Sequence, residues 1–167
     1  EALLLVKPGL PVNSVAELVK FAKANPGKLN YGSAGVGSGN HLWTEQFKML
    51  TKTDLVHVPF KSDADVAREL AAGTVDFAIS IPTFTMPFVK DGRIKAIGVT
   101  GSQRLEALSS IPTLEEAGVP ELRGLGYYLF YGIVGPAGMP PAVVQQINQA
   151  LNTVSQMPDV VQKLQRL

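Results

Sequence analysis

Short apolar runs and longer stripes of helical period alternate along this chain, with turn residues between them. Ala2-Leu3-Leu4-Leu5-Val6 reads as a strand. Ser14-Val15-Ala16-Glu17 is a capping box, so a helix is expected from Val15 to Ala24, stopped by Asn25-Pro26-Gly27. A strand from Leu29 to Ser33 follows, then a helix after Ser38 that carries Leu42, Phe47, Met49 and Leu50 on its stripe. Leu55 to Val58 is a further strand, closed by Pro59-Phe60-Lys61-Ser62, and Asp63 to Ala72 is a helix ended by Gly73. Strands Val75 to Ile81 and Ile94 to Thr100 flank a short helix from about Thr85 to Lys90. Thr113-Leu114-Glu115-Glu116 is a second capping box, opening one turn that ends at Gly118. A last strand, Tyr128 to Gly135, leads through a proline-rich turn to an amphipathic helix from Pro141 to Val154. This alternation predicts an α/β fold with a mainly parallel sheet covered by helices.

Within that pattern the segment from Leu29 to Leu42 joins a strand, a glycine-rich turn and a helix start. Gly32, Gly35, Gly37 and Gly39 let backbone approach a ligand without Cβ interference. Ser38 occupies the N-cap position, and the first turn beyond it offers unpaired N–H groups with partial positive charge. Such an arrangement cradles a carboxylate or phosphate. The same glycines also suit a plain strand-to-helix turn. A dinucleotide fingerprint fails, because the third glycine position counted from Gly35 and Gly37 falls on Asn40. A P-loop fails as well, since the only Gly-Lys pair is followed by Leu29. Neither Ser33 nor Ser38 has the flanking glycines of a nucleophile elbow.

Composition narrows the chemistry further. The 167 residues are 46% hydrophobic and 17% charged, enough for a sizeable core. A net charge of +1 argues against a dedicated nucleic-acid or membrane surface. Cysteine is absent, so disulfides, thiolate nucleophiles and Cys-based metal sites are excluded. His41 and His57 are too few for a His-rich metal site, and His41 with Glu45 reads as an i, i+4 contact on a helix surface. No metal and no cofactor is expected. Loops at the C-terminal ends of the strands are the expected ligand edge, and three carry small or hydroxyl residues: Ser33 to Ser38, Pro59 to Ser62, and Ser80 to Thr85, which includes Thr83. Lys61 is placed either to steer an anion or simply to be solvated. Asp76 reads as a turn or helix-cap acceptor, and Asp63 and Asp65 as first-turn residues favoured by the helix dipole. No paired carboxylates and no Ser-His-Asp set are apparent, which favours binding over catalysis. A strand directly at Glu1 and a helical pattern running to Leu167 suggest a segment of a longer protein.

Several segments in order carry a more specific signal: Leu29-Asn30-Tyr31-Gly32-Ser33 through His41-Leu42, His57-Val58-Pro59-Phe60-Lys61, Gly73-Thr74-Val75-Asp76, Ile111-Pro112-Thr113-Leu114-Glu115-Glu116-Ala117-Gly118 and Gly132-Ile133-Val134-Gly135-Pro136-Ala137-Gly138. Together they closely resemble the Bug or TctC-like solute-binding receptors of tripartite tricarboxylate transporters. The resemblance implies a type II periplasmic-binding-protein fold, with a mixed, mainly parallel sheet, helices on both faces and a ligand cleft between two domains. Projected here, residues 1–10 are a hinge strand, 11–125 the second domain, 126–139 the return strand and 140–167 helices of the first domain, the rest of which is absent.

The same resemblance implies a non-enzymatic periplasmic receptor that captures a small mono-, di- or tricarboxylate or aromatic acid and delivers it to membrane permease subunits. Ser33, Gly35, Val36, Gly37 and Ser38 match the family's carboxylate-facing elements. Ser80 stands where many relatives carry aspartate, which disfavours a zwitterionic amino acid. Phe130 precedes Tyr131 where relatives often carry Trp-Tyr, so Tyr131 contributes to an altered aromatic wall. Two other classes remain open on the same scaffold: a ligand-sensing domain of a transcription regulator, and a small-molecule enzyme. Val143, Val144, Ile147 and Leu151 would stay exposed without the missing half-domain, so a swapped dimer or a complementing chain is an expected partner.

Overall fold

The computed structural model describes residues 1–126 and 132–165, in two compact units, Glu1–Leu129 and Phe130–Leu167. The first unit holds a five-stranded sheet. Its elements are β1 (Leu3–Val6), α1 (Val15–Ala24), β2 (Asn30–Ser33), α2 (Gly39–Thr51), β3 (Val56–Pro59), α3 (Asp63–Ala72), β4 (Phe77–Ser80), α4 (Pro82–Lys90) and β5 (Lys95–Val99). The sheet order is β3-β2-β4-β1-β5.

β2 runs parallel to both β3 and β4, while β1 runs antiparallel to β4 and β5. All four residues of β1 are buried, as a strand paired on both sides and covered on both faces demands. Alternate side chains serve two cores. Leu4 and Val6 join Leu18, Tyr31, Phe47 and Phe77 on one face, whereas Leu3 and Leu5 join Val66, Leu70, Ala78 and Val99 on the other. The sheet is mixed and mainly parallel, as the resemblance implies, with β1 as its one antiparallel strand, between β4 and β5. Pro59 is tolerated in β3 because that strand is an edge.

Local chemistry sets the helix ends. Ser14 Oγ accepts from the Glu17 N–H at 3.1 Å, and Glu17 reaches back to the Asn13 N–H at 2.6 Å. In α3, Ser62 Oγ accepts from the Asp65 N–H at 3.1 Å, and Gly73 closes the helix at φ +81°. The second capping box is reciprocal too, with Thr113 N–H donating to Glu116 at 2.9 Å, but it supports a single turn. Helix α4 begins at Pro82, three residues before the expected start. Proline's fixed φ suits a first helical position, which the apolar pattern alone does not reveal. At Gly98 an added Cβ would lie 2.8 Å from Val15 Cγ2, so this glycine is what lets α1 seat on β5.

Asp76 is no turn or helix cap. Its carboxylate pairs with Lys7 at 2.6 Å and accepts the Asn30 N–H at 2.8 Å, while its own N–H donates to Asn30 Oδ1 at 2.9 Å. One buried side chain thus ties the ends of β1 and β2 to the entrance of β4.

In the second unit, α5 (Pro141–Ser155) and α6 (Pro158–Gln165) follow a segment without strand structure from Gly132 to Gly135. The expected return strand is therefore not formed there, and its residues 128–131 lie outside the described residues. Among the described residues no strand pairs with Ile133 or Val134, which are 70% and 95% exposed. The apolar stripe of α5, Val143, Val144, Ile147, Leu151 and Val154, is exposed as well.

Asp76→Ala leaves the Asn30 N–H and the Lys7 ammonium without their acceptor, and should cost about 2–4 kcal/mol. Denaturant titration of the chain measures this. A loss no larger than that of an exposed substitution such as Glu106→Ala would count against the clamp.

Candidate functional site

Because β2, β3, β4 and β5 all point the same way, their C-terminal ends lie along one edge of the sheet. Helices α2, α3 and α4 each start at that edge, directly after β2, β3 and β4. Three partial positive charges converge on one rim.

The β2–α2 loop is held from beneath. Ser33 is fully buried, and its Oγ lies 2.5 Å from His57 Nε2 and 3.2 Å from both the N–H and the carbonyl oxygen of Gly35. The Ser38 N–H donates to the Gly35 carbonyl at 3.2 Å, and Ser38 Oγ lies 2.6 Å from that carbonyl and from Asn40 Oδ1. Asn40 Oδ1 in turn accepts the Ala34 N–H at 3.1 Å, and Asn40 Nδ2 donates to Asp63 at 2.8 Å, joining the starts of α2 and α3. Gly35 and Gly37 have φ of +112° and +83°, which only glycine adopts without strain. The Gly37 N–H donates to His41 Nδ1 at 3.2 Å.

What this leaves open is the cradle itself. Ser38 stands at the N-cap, but its hydroxyl makes no cap bond to the helix. Among the described residues the N–H groups of Val36, Gly39, Asn40 and His41 have no partner. Val36 is 81% exposed at the loop tip. Val36 and Gly39 are exposed and Asn40 is buried, and the donors of Gly39, Asn40 and His41 belong to the first turn of α2, where a helix start favours an anion.

The other expected residues gather along the same rim. Lys61 is exposed directly after Phe60, whose N–H donates to the Ser33 carbonyl at 2.7 Å. Ser80 ends β4 opposite Leu3, fully buried, and among the described residues its hydroxyl has no hydrogen-bond partner. Thr83 is half-buried in the first turn of α4. Tyr131 lies outside the described residues.

Sequence reasoning missed a polar cluster behind the loop. Glu45 does not bond His41; it accepts the Tyr31 hydroxyl at 2.5 Å and pairs with Lys48 at 2.8 Å. Tyr31 and His57 are stacked with ring centroids 4.8 Å apart, and His41 packs against His57 at 4.3 Å with its ring tilted by 42°. Burial, reinforced by Glu45, pushes the Tyr31 phenol up. Burial also pushes Glu45 up, but its bonds from Lys48 and Tyr31 prevail and hold it below the ordinary carboxylate range. Burial, with the charge of neighbouring His41, lowers His57. Burial raises Asp63, against the pull of its own backbone N–H. The pairing of His57 with Ser33 is a product of strand register, in which Tyr31 faces His57.

The sign of the His57 shift has a consequence for stability. The folded ring binds its proton less tightly than the unfolded one, so the unfolded state takes up more protons in acid. The contribution of His57 is complete above about pH 6.5 and lost as pH falls below it. Denaturation midpoints of wild type should fall between about pH 8 and pH 5.5 by more than those of His57→Gln. Equal slopes in the two proteins would remove His57 as a cause.

Comparison with known proteins identifies the fold and the family. A relative from Pseudomonas sp. (strain P51), the UPF0065 protein in the tcbD-tcbE intergenic region, is 33% identical over 99% of this chain and 49% of its own length. The solved structure of R. palustris Rpa4515 with adipate is 35% identical, with a TM-score of 0.80 over 98% of this chain and 54% of the other. MatC from Rhodopseudomonas palustris with bound malate is 25% identical, with a TM-score of 0.84 over 99% of this chain and 55% of the other. The chain thus spans about half the length of the relatives it matches. The model of the tripartite tricarboxylate transporter family receptor, TctC, matches residues 1–167, and the chain belongs to that family.

Proposed function

We propose that this chain supplies one wall of the ligand cleft of a periplasmic receptor, which captures a small carboxylate and delivers it to the permease subunits of a tripartite tricarboxylate transporter. The observation that carries the reading is the row of open N–H donors at Val36, Gly39, Asn40 and His41, on a loop whose own hydroxyls are turned inward. Backbone donors without a lysine suit a ligand that must be released again: they stabilise a carboxylate through hydrogen bonds and the helix dipole, at modest charge. Relatives of the same family solved with adipate and with malate support the ligand class. No helix among the described residues is long and apolar enough to cross a membrane, which is compatible with a receptor that hands its cargo to separate permease subunits. In this reading Gly35, Val36, Gly37 and Ser38 face the carboxylate and Ser33 braces them from below. Lys61, Ser80 and Thr83 flank the bound acid, and residues 1–10 and 126–139 are the segments that link the two domains of the full receptor.

Calorimetric titration of the full-length receptor with adipate, malate, citrate, benzoate and glutamate tests the ligand class. A plain acid should bind more tightly than glutamate. Gly37→Val places a branched side chain at φ +83°, where its Cβ meets nothing but the backbone is strained by about 1–2 kcal/mol. Affinity should drop at least about tenfold while the protein stays folded, because the loop must re-aim its donors. Ser80→Asp should weaken plain acids by about 1 kcal/mol or more through like-charge repulsion. Preference for glutamate over the plain acids, or unchanged affinity in folded Gly37→Val, would place the site elsewhere.

The apolar stripe on α5 is read as a covered surface, taken by a second copy or by a complementing chain. The 167-residue chain alone should then sediment as a dimer. A stable monomer at high concentration would count against this part of the reading.

A further inference from the structure

We propose that His41 is a positioning residue for the carboxylate site, its unprotonated Nδ1 holding the Gly37 N–H and so fixing the loop that carries the open donors. The inference rests on the carboxylate reading above.

Gly37 sits in the middle of the loop at φ +83°, with open space around its Cβ position, so packing does not hold it. Among the described residues its N–H has one partner, His41 Nδ1 at 3.2 Å, one helical turn further on. Immediately beside it are the donors without partners, on Val36 before and Gly39 after. A flexible glycine loop would spread those donors over many arrangements, and ordering them on binding would cost entropy. The His41 bond settles that cost beforehand. It needs a ring that is both correctly turned and in the right protonation state, since a proton on Nδ1 would set donor against donor.

The surroundings supply both conditions. The His41 ring packs against His57 from β3 at 4.3 Å, tilted by 42°, and His57 is itself stacked on Tyr31 from β2, which restricts how the His41 ring can turn. The charged and titratable groups around the pair are Glu45 and Lys48 on α2, held against each other and Tyr31, and Asp63 at the start of α3, bonded to neighbouring Asn40. His57 braces Ser33 at the loop's entrance while His41 braces its centre. Two rings in contact hold two points of one loop.

Two substitutions separate the acceptor from the ring. In His41→Asn the amide oxygen takes the place of Nδ1, whereas His41→Phe keeps the ring and removes the acceptor. In the full-length receptor titrated with adipate, His41→Phe should lose about tenfold or more in affinity and His41→Asn should stay within about threefold of wild type. The Gly37 amide proton should move upfield in His41→Phe alone. In wild type it should follow the titration of the His41 ring, a readout that needs no variant and survives if His41→Phe does not fold. Wild-type affinity in folded His41→Phe, or an equal loss in both variants, overturns the proposal. If no acid of the panel binds wild type, the carboxylate reading falls, and the Gly37 amide alone decides whether His41 holds the loop: a signal indifferent to the ring's titration means that it does not.

Discussion

The interior position of β1, between β4 and β5, is the constraint on which the remaining structure depends. Leu3–Val6 is antiparallel to its neighbours on both sides and joins β5 to the parallel strands β2, β3 and β4. Its wholly apolar sequence is what allows burial on both faces, because a polar residue there would have to find a partner in one of two dry cores. With β1 in place, β5 and the three parallel strands end along one rim, and the helices that follow β2, β3 and β4 aim their N-termini at it. The ligand edge is therefore a consequence of strand direction before any site residue is considered.

That rim carries an energetic liability which the loop chemistry leaves standing. A helix start normally gains about 1 kcal/mol from a side-chain cap, and Ser62 supplies such a cap to α3. Ser38 is the right residue in the right place on α2, yet its hydroxyl turns back to the Gly35 carbonyl and Asn40. The stability forgone there is available to a ligand. The loop is meanwhile tied through Ser33, Gly37 and Asn40, so its open donors sit on a braced frame.

How much of this was legible in the sequence follows from how local each cause is. The bounds of α1 and α3 could be read to the residue, because Ser14, Ser62 and Gly73 act within a turn of their own positions. Strands β4 and β5 were read too long, since an apolar run continues past the last paired residue. The glycine loop and the N-cap position of Ser38 were legible for the same local reason. What could not be read were the partners made by register: Asn40 to Asp63 across 23 residues, Ser33 to His57 across 24, and Asn30 to Asp76 across 46. All but Asp76, which precedes β4, sit in segments whose element was identified correctly. Only the parallel pairing of β2 with its neighbours brings them together, and no periodicity encodes which strand lies beside which.

The Ser33–His57 pair also shows why geometry must be weighed with access. A serine hydroxyl 2.5 Å from an imidazole nitrogen has the distance of an activated nucleophile. Ser33 exposes no surface, however, and its oxygen already accepts the Gly35 N–H. A substrate carbonyl has no approach to it, and activation without approach does no chemistry. The same two contacts that exclude attack are those that fix the start of the loop. Hydroxyl and imidazole here brace the loop, and in the proposed reading the groups that meet the carboxylate there are backbone N–H donors. Those recognise a charge and its position but transfer nothing, which is the division of labour a receptor needs.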